Sequence, residues 1–374
     1  MADPSAVPAG RYLVLTASMG SGHNQVAREL AARLSGAAEV RIVDLLDILP
    51  AGTGRALRDG YGGMLRAAPW LYEGIFQTFF VPRGQHQPTT SPLVALAARR
   101  LRPLLADYKP TAVVSTFHLA GQAAGRLRAH GRLTVPSVVM ITEPAAHKLW
   151  LHPATDLFVC PYPAVAAEAR SRTGRAALAP GPLIDARFSR CTDPTAGRRA
   201  LRLRPDEQAV LVSTGSWGVG DAVGTAARLA ELDGVRPVVL CGRNERLRRT
   251  LATAGRCLAL GWRDDLPDLF AAAAVLVDNA GGETCAEAFA AGLPVVSYRP
   301  LPGHGRLGVR ALGDAALVTP AGDGATLLDA VEKLRRPGSV RDEQRERAAA
   351  VFVEDPAVAL RRWLADRAAT AGPG

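Results

Sequence analysis

The stretch from Val275 to Tyr298 constrains the fold most. An apolar run of strand length ends in Asp278-Asn279, passes through the Gly281-Gly282 turn and opens a helix. That helix closes on Gly292 ahead of a second buried strand, Val295-Val296-Ser297-Tyr298. Glycines let the backbone come close to a ligand, and the N–H groups at the helix start favour an anion such as a diphosphate. Glu287 lies about one turn into the helix, where a carboxylate can take both hydroxyls of a ribose. The same spacing also suits an ordinary strand–turn–helix of an α/β fold.

The pattern recurs along the chain. Tyr12-Leu13-Val14-Leu15-Thr16 is a short buried strand, followed by a loop through Ser18-Met19-Gly20-Ser21-Gly22-His23. The helix after it has apolar positions at Val26, Ala27, Leu30, Ala31 and Leu34. The loop lacks the GxGxxG spacing of a dinucleotide fingerprint, so it fits a nicotinamide site poorly. His23 at the helix start faces the positive end of the dipole, which favours the neutral, base-competent imidazole. A lone His in this place is more often incidental. Val40–Asp44 is the second strand.

Residues 111–116, 137–142 and 157–160 are continuous apolar runs, the mark of parallel strands covered on both faces. They end at Phe117-His118, Glu143-Pro144 and Pro161-Tyr162-Pro163, and in open α/β sheets a ligand lies beyond such carboxyl ends. A Pro- and Arg-rich stretch from Pro180 to Pro205 reads as a linker. Beyond it Val210–Thr214 leads into Gly215-Ser216-Trp217-Gly218-Val219-Gly220 and a helix. Further strands are expected at 238–241, 258–260, 276–277 and 295–297, with Leu317-Val318 closing the sheet. Asp264–Phe270 reads as a capped helix start, and the tail from Arg341 to Ala369 as helix broken near Asp355-Pro356. The expected organisation is α/β: two doubly wound parallel-sheet domains, 1–187 and 188–350, facing across a cleft. A helical tail, 351–374, packs back on the first.

A chain of 374 residues is long for one domain and comfortable for two. Lys plus Arg exceed Asp plus Glu by 45 − 35 = 10, which fits anionic ligands, anionic lipid or nucleic acid, beside a share of plainly solvated arginines. No clustered basic stripe or nucleic-acid motif is visible, so a nucleic-acid partner is not expected. Five cysteines without CxxC spacing argue against a zinc site or a disulfide framework. Residues 1–10 lack the pattern of a signal peptide, and no apolar run reaches the ~18 residues of a spanning helix. A cytoplasmic protein is expected, at most resting on the inner face of the membrane. Between Tyr61 and Phe80 aromatic and apolar residues mix with Arg66, and Arg55, Arg58 and Arg83 lie close by. That mixture suits the face of an anionic bilayer, or equally a helical pair packed on the domain core.

Taken together, the glycine loops at 18–22 and 215–220 and the run from Asp278 to Pro294 resemble those of the GT-B glycosyltransferases. More narrowly, the chain resembles the monogalactosyldiacylglycerol synthase family. Its relatives there are the processive diacylglycerol glucosyltransferases and the lipid-intermediate N-acetylglucosaminyltransferases of peptidoglycan synthesis. Gly20-Ser21-Gly22-His23 matches the family's glycine loop ending in His. Asp107-Tyr108-Lys109-Pro110, followed by a strand and His118, matches the approach to a later strand. Thr142-Glu143, His147, Trp150 and His152, then Thr155-Asp156 and Val159-Cys160-Pro161, resemble a Thr-Asp…His…Trp…His run. Gly181-Pro182-Leu183-Ile184 stands where the family has Gly-x-Pro-Val.

The resemblance implies a hexosyltransferase that carries out a single inverting displacement with no metal and no cofactor beyond the UDP-sugar co-substrate. Backbone N–H groups of Thr214, Gly215, Ser216, Gly281 and Gly282 would hold the diphosphate, and Glu287 the ribose. Asn279, Glu283, Thr284, Gly303 and His304 would complete the donor site. His23 or Glu143 would take the acceptor's proton, with Gly22, His118, His147 and Trp150 on the acceptor side. The acceptor implied is a lipid such as diacylglycerol. A non-lipid acceptor, a non-catalytic nucleotide-sugar binder and a sugar-nucleotide epimerase are the alternatives. Three departures stand out. Glu143 replaces an Asp, and Asp185 replaces an Arg for which Arg187 is the substitute. Pro302-Gly303-His304-Gly305 replaces Pro-Gly-Gln-Glu, which leaves the donor sugar open.

Overall fold

A computed structural model describes residues 10–36, 38–81, 91–190 and 193–370. They divide into two compact units, the first from the described residues of 1–61, 77–183 and 351–374, the second from 62–76 and 184–350. In the first unit the strands are β1 (Arg11–Thr16), β2 (Glu39–Asp44), β3 (Ala112–Ser115), β4 (Ser137–Met140), β5 (Leu157–Val159) and β6 (Ala176–Leu178). They lie in the order β2-β1-β3-β4-β5-β6, all parallel. Period-two alternation explains why the central strands read as unbroken apolar runs, since both faces are covered. Leu13 and Leu15 face Val94, Ala97 and Leu101 of the helix Pro92–Tyr108. Tyr12 and Val14 face Val26 and Leu30 of the helix Gly22–Leu34, together with Ala357 and Leu360 of the helix Pro356–Thr370. Burying each such Leu contributes on the order of 1.5 to 3 kcal/mol.

The last helix is tied to this unit by polar contacts as well. Val353 N donates to Pro180 O at 2.9 Å, and Arg33 Nη1 lies 2.6 Å from Asp355 Oδ2. Gly181 sits at φ +123, where a Cβ would come within 2.5 Å of Val351 O. β6 had no strand expected for it; two of its three residues are alanines, which carry weak strand propensity.

The second unit holds β7 (Gln208–Ser213), β8 (Val235–Leu240), β9 (Leu258–Leu260), β10 (Ala273–Asp278), β11 (Val295–Tyr298) and β12 (Thr319–Ala321). Their order is β12-β11-β10-β7-β8-β9, again all parallel. β12 begins just past Leu317-Val318, which are buried ahead of the strand rather than within it. The stretch expected to be a linker carries the helices Arg187–Arg190 and Thr195–Ala200. Phe188 there is buried with its ring 5.2 Å from that of Phe270, so the segment is part of the packed unit.

The aromatic segment forms the helices Thr53–Ala67 and Pro69–Phe79. Leu65, Tyr72 and Phe76 are buried, while Trp70 (74% exposed), Leu71 and Phe79 point outward. Arg83 lies outside the described residues. Among the described residues no helix is long and apolar enough to cross a membrane. In each sheet the order of connection reverses beside the first strand, between β1 and β3 and between β7 and β10. Such a reversal opens a crevice at the carboxyl edge, where ligands of α/β sheets bind.

Candidate functional site

At the reversal in the first unit, the loop after β1 is pinned before it reaches its helix. Asp44, at the end of β2, accepts from Ser18 N at 2.9 Å and from the Ser18 hydroxyl. Asn24 Nδ2 donates to Ser18 Oγ at 2.9 Å, and Thr16 Oγ1 donates to Asn24 Oδ1 at 2.7 Å. Gly20 turns the loop at φ +123, a conformation open to glycine at little cost. His23 is the second residue of the helix, after Gly22. Its Nδ1 lies 2.9 Å from Thr116 O and 3.0 Å from Thr142 Oγ1. A carbonyl only accepts, so in the neutral ring Nδ1 carries the hydrogen and Nε2 the lone pair that takes a proton.

The surroundings of that imidazole are aromatic. Phe117 lies 5.1 Å from it edge-on and Trp150 6.0 Å away. His118 opens the next helix, its ring 4.2 Å from Phe117 and 5.1 Å from His147. Glu143 Oε2 is 3.6 Å from His147 Nε2. His147 and Trp150 are 1% and 0% exposed, so they stand behind His23, His118 and Glu143 as packing rather than as open surface. Gln122, buried on the helix His118–Ala129, holds this wall by donating to Leu149 O and Leu151 O at 3.0 and 2.9 Å.

At the reversal in the second unit two glycine loops meet. The loop after β7 begins at Thr214, whose hydroxyl donates to Leu240 O at 2.7 Å. Gly215 (φ +65) is exposed with open space where a Cβ would stand, and Ser216 follows it. Gly218 (φ +60) has no such space, since a Cβ would meet Asn244 Cβ at 2.4 Å. Asp278 accepts from Ala280 N and Gly281 N at 2.8 and 2.6 Å and so folds the turn after β10. Gly281 (φ +63) lies against Val309 N, which an added Cβ would approach to 2.8 Å. Gly282 caps the helix Glu283–Ala290, whose first two residues, Glu283 and Thr284, are half-buried. Asn279 joins the two loops: its Nδ2 donates to Val219 O at 3.0 Å, so its amide shapes the site from within.

Glu287 projects from that helix at 9% exposure. Burial, and then the nearby Asp185 carboxylate, push its pKa up to about 8. Asp185 is itself held by Arg187, whose Nε donates to it at 2.7 Å. The sign reversal seen in the sequence is therefore offset two residues on.

His304 and Gly303 are engaged from within the second unit. Tyr72 Oη is 2.9 Å from His304 Nδ1, and Glu73 Oε2 accepts from Gly303 N at 2.8 Å. Arg306 Nη1 reaches the same carboxylate at 3.2 Å. An acidic side chain, missing from the 302–305 sequence, thus arrives from the helix Pro69–Phe79. Gly303 (φ +67) accepts this packing because a Cβ would strike the Tyr72 ring at 2.6 Å.

Two further side chains at this edge escaped the sequence reading. Arg299 adopts φ +50, pairs with Asp221 and lies over the Tyr298 ring. Trp262, just past β9, is 45% exposed, with the Arg243 guanidinium 4.4 Å from its ring centroid. Arg243 N in turn donates to Ser216 O at 3.0 Å. The signal for Trp262 was a large aromatic directly after a strand, where nothing in the sequence asks for one. Among the described residues no group of three or more His, Cys, Asp or Glu side chains is placed to hold a metal ion.

Two doubly wound parallel sheets, each with a glycine loop at its reversal, define the GT-B class. Residues 23–176 match the model of the monogalactosyldiacylglycerol (MGDG) synthase family. The processive diacylglycerol beta-glucosyltransferase of Bacillus mycoides is 24% identical over 320 residues, covering 79% of this chain and 77% of that protein. Anabaena HepE, solved in complex with UDP and glucose, is 15% identical with a TM-score of 0.56, over 96% of this chain and 99% of that one. A UDP-glucosyltransferase from Polygonum tinctorium that glucosylates indoxyl is 15% identical with a TM-score of 0.61, over 96% and 99%. The resemblance read from the sequence is borne out: the chain has the GT-B fold and is a glycosyltransferase.

Proposed function

We propose that the chain transfers a hexosyl group from a UDP-sugar to the hydroxyl of a lipid such as diacylglycerol, inverting the anomeric carbon and using no metal. The observation that carries this reading is His23, locked through Nδ1 onto Thr116 O at a sheet reversal, with Nε2 left as the basic nitrogen. The names of the Bacillus relatives support a lipid acceptor and a UDP-dependent donor site.

The donor lies at the reversal of the second sheet. Its diphosphate takes N–H groups at 214–216 and at 281–283, where the start of the helix Glu283–Ala290 favours negative charge. Glu287 accepts from the ribose hydroxyls, and the uracil ring lies on the exposed Trp262. His23 Nε2 takes the proton of the acceptor hydroxyl as its oxygen attacks the anomeric carbon. The bond from that carbon to the diphosphate breaks, and UDP leaves with the electron pair, its charge met by the backbone donors. One displacement of this kind inverts configuration. Exposed Trp70, Leu71 and Phe79, with Arg55, Arg58 and Arg66 also exposed, rest on the anionic inner face of the membrane that presents the acceptor.

A panel of UDP-sugars incubated with vesicles containing diacylglycerol, with products identified by mass, tests this reading. A hexosyl-diacylglycerol formed without added metal supports it. UDP release without glycolipid, or no release from any donor, rejects it.

A further inference from the structure

We propose that the first unit carries a second ligand site, for the phosphate headgroup of an anionic lipid, in a groove at the amino edge of its sheet. The groove encloses about 870 Å³. It lies where the chain enters β3 and β4, at the opposite edge of the sheet from His23, and is independent of the sugar-transfer reading. Four cations line it: Arg99 and Arg102 from the helix Pro92–Tyr108, then Lys109 and Arg132. No Asp or Glu lines it. Among the described residues none of the four side chains makes an ion pair or hydrogen bond, whereas neighbouring Arg41 and Arg128 are matched by Asp107 and Asp156. Four unmatched positive charges around one hollow repel one another, and an anion entering it removes that repulsion.

The floor beneath them is apolar, made by Pro103, Leu105, Leu133 and Val135. A fully hydrated anion gains nothing from such a floor; a phosphate diester carrying an acyl chain uses both parts. The backbone at the rim is set for this arrangement. Lys109 is held at φ +49 after the helix, a conformation that glycine adopts more cheaply, between buried Tyr108 and buried Pro110. The Asp107-Tyr108-Lys109-Pro110 motif, otherwise without a task, thereby fixes one of the four cations at the groove.

The test is calorimetric titration of the full chain with dihexanoylphosphatidylglycerol below its micelle concentration, beside dihexanoylphosphatidylcholine and inorganic phosphate. One saturable site for the anionic lipid is expected, with the zwitterionic lipid and free phosphate each at least about tenfold weaker. At roughly fivefold per cation near an anionic lipid, Arg102→Gln with Arg132→Gln weakens binding by about 30-fold. UDP affinity and melting temperature serve as controls for folding. Arg99→Gln alone, at an exposed helical position, replaces the pair if the double variant fails to fold, with a loss of about fivefold. No binding of the anionic lipid overturns the proposal, as does equal affinity in the variants. Free phosphate binding as tightly as the lipid overturns the headgroup assignment.

Discussion

The reversals of the two sheets share a topology and differ in what lines them. In the first, an imidazole with an assigned tautomer is boxed by Phe117, Trp150 and His118, and few backbone N–H groups are on offer. In the second, two glycine loops are fastened to each other by Asn279, backbone donors abound, and the ionisable side chain is a buried carboxyl. An imidazole fixed on one nitrogen is suited to moving a proton. Glycine turns at a helix start are suited to holding an anion, and a buried carboxyl to reading a diol. The comparison teaches that one fold, used twice, separates proton chemistry from ligand binding by the residues set after its strands.

The largest expected effect breaks the first half of that comparison. His23→Ala lowers turnover by about two to four orders of magnitude, the range of a positioned base. Glu143→Gln, whose carboxylate lies beside His147, is the control. A Glu143 variant that collapses while the His23 variant turns over normally transfers the base role to the carboxylate.

The next breaks the second half. Glu287→Ala weakens uridine binding by about 1.5 to 3 kcal/mol, the range for hydrogen bonds to a charged group. Uridine is the probe because it has the diol and no phosphate. Calorimetry giving equal affinities would leave Glu287 with a packing role.

The carboxyl's titration sharpens the point. Its pKa is raised to about 8 in the folded chain, above the ordinary value of 4.5. Between those values the folded chain holds a proton that the unfolded chain has lost, so this group's stabilising contribution is complete below pH 4.5 and falls as pH rises towards 8. The slope is about 1.4 kcal/mol per pH unit in mid-window. Glu287→Gln, neutral throughout, removes that slope and is the more stable protein at pH 8 by urea unfolding. Binding a diol to the carboxylate requires the proton to leave, so uridine affinity rises with pH up to about 8 in the parent and not in the Gln variant.

The smallest effect concerns the 302–305 loop. Tyr72→Phe removes the partner of His304 Nδ1 and costs about 1 kcal/mol of stability, read from the shift in urea midpoint. An unchanged midpoint would mean that ring packing alone holds the loop.

Local pattern made much of this legible. Continuous apolar runs gave the central strands, and Gly-rich stretches after them gave both loops and the position of His23. What stayed hidden depends on contacts distant in sequence. Asp44 anchors Ser18 from 26 positions away, and Glu73 reaches Gly303 across 230. No spacing rule connects such pairs. Trp150 and His147 matched a motif, yet the motif could not tell a side chain that faces a ligand from one that packs behind it. The aromatic segment was ambiguous for the same reason, and one helix pair now supplies both a buried face and an exposed one.

Titration of UDP into the parent and the His23→Ala variant, on samples whose turnover is measured in parallel, tests the separation of tasks most directly. The two should bind UDP with the same Kd while turnover falls at least about a hundredfold in the variant. A variant that loses UDP affinity in step with its turnover, or that keeps its turnover, would contradict it.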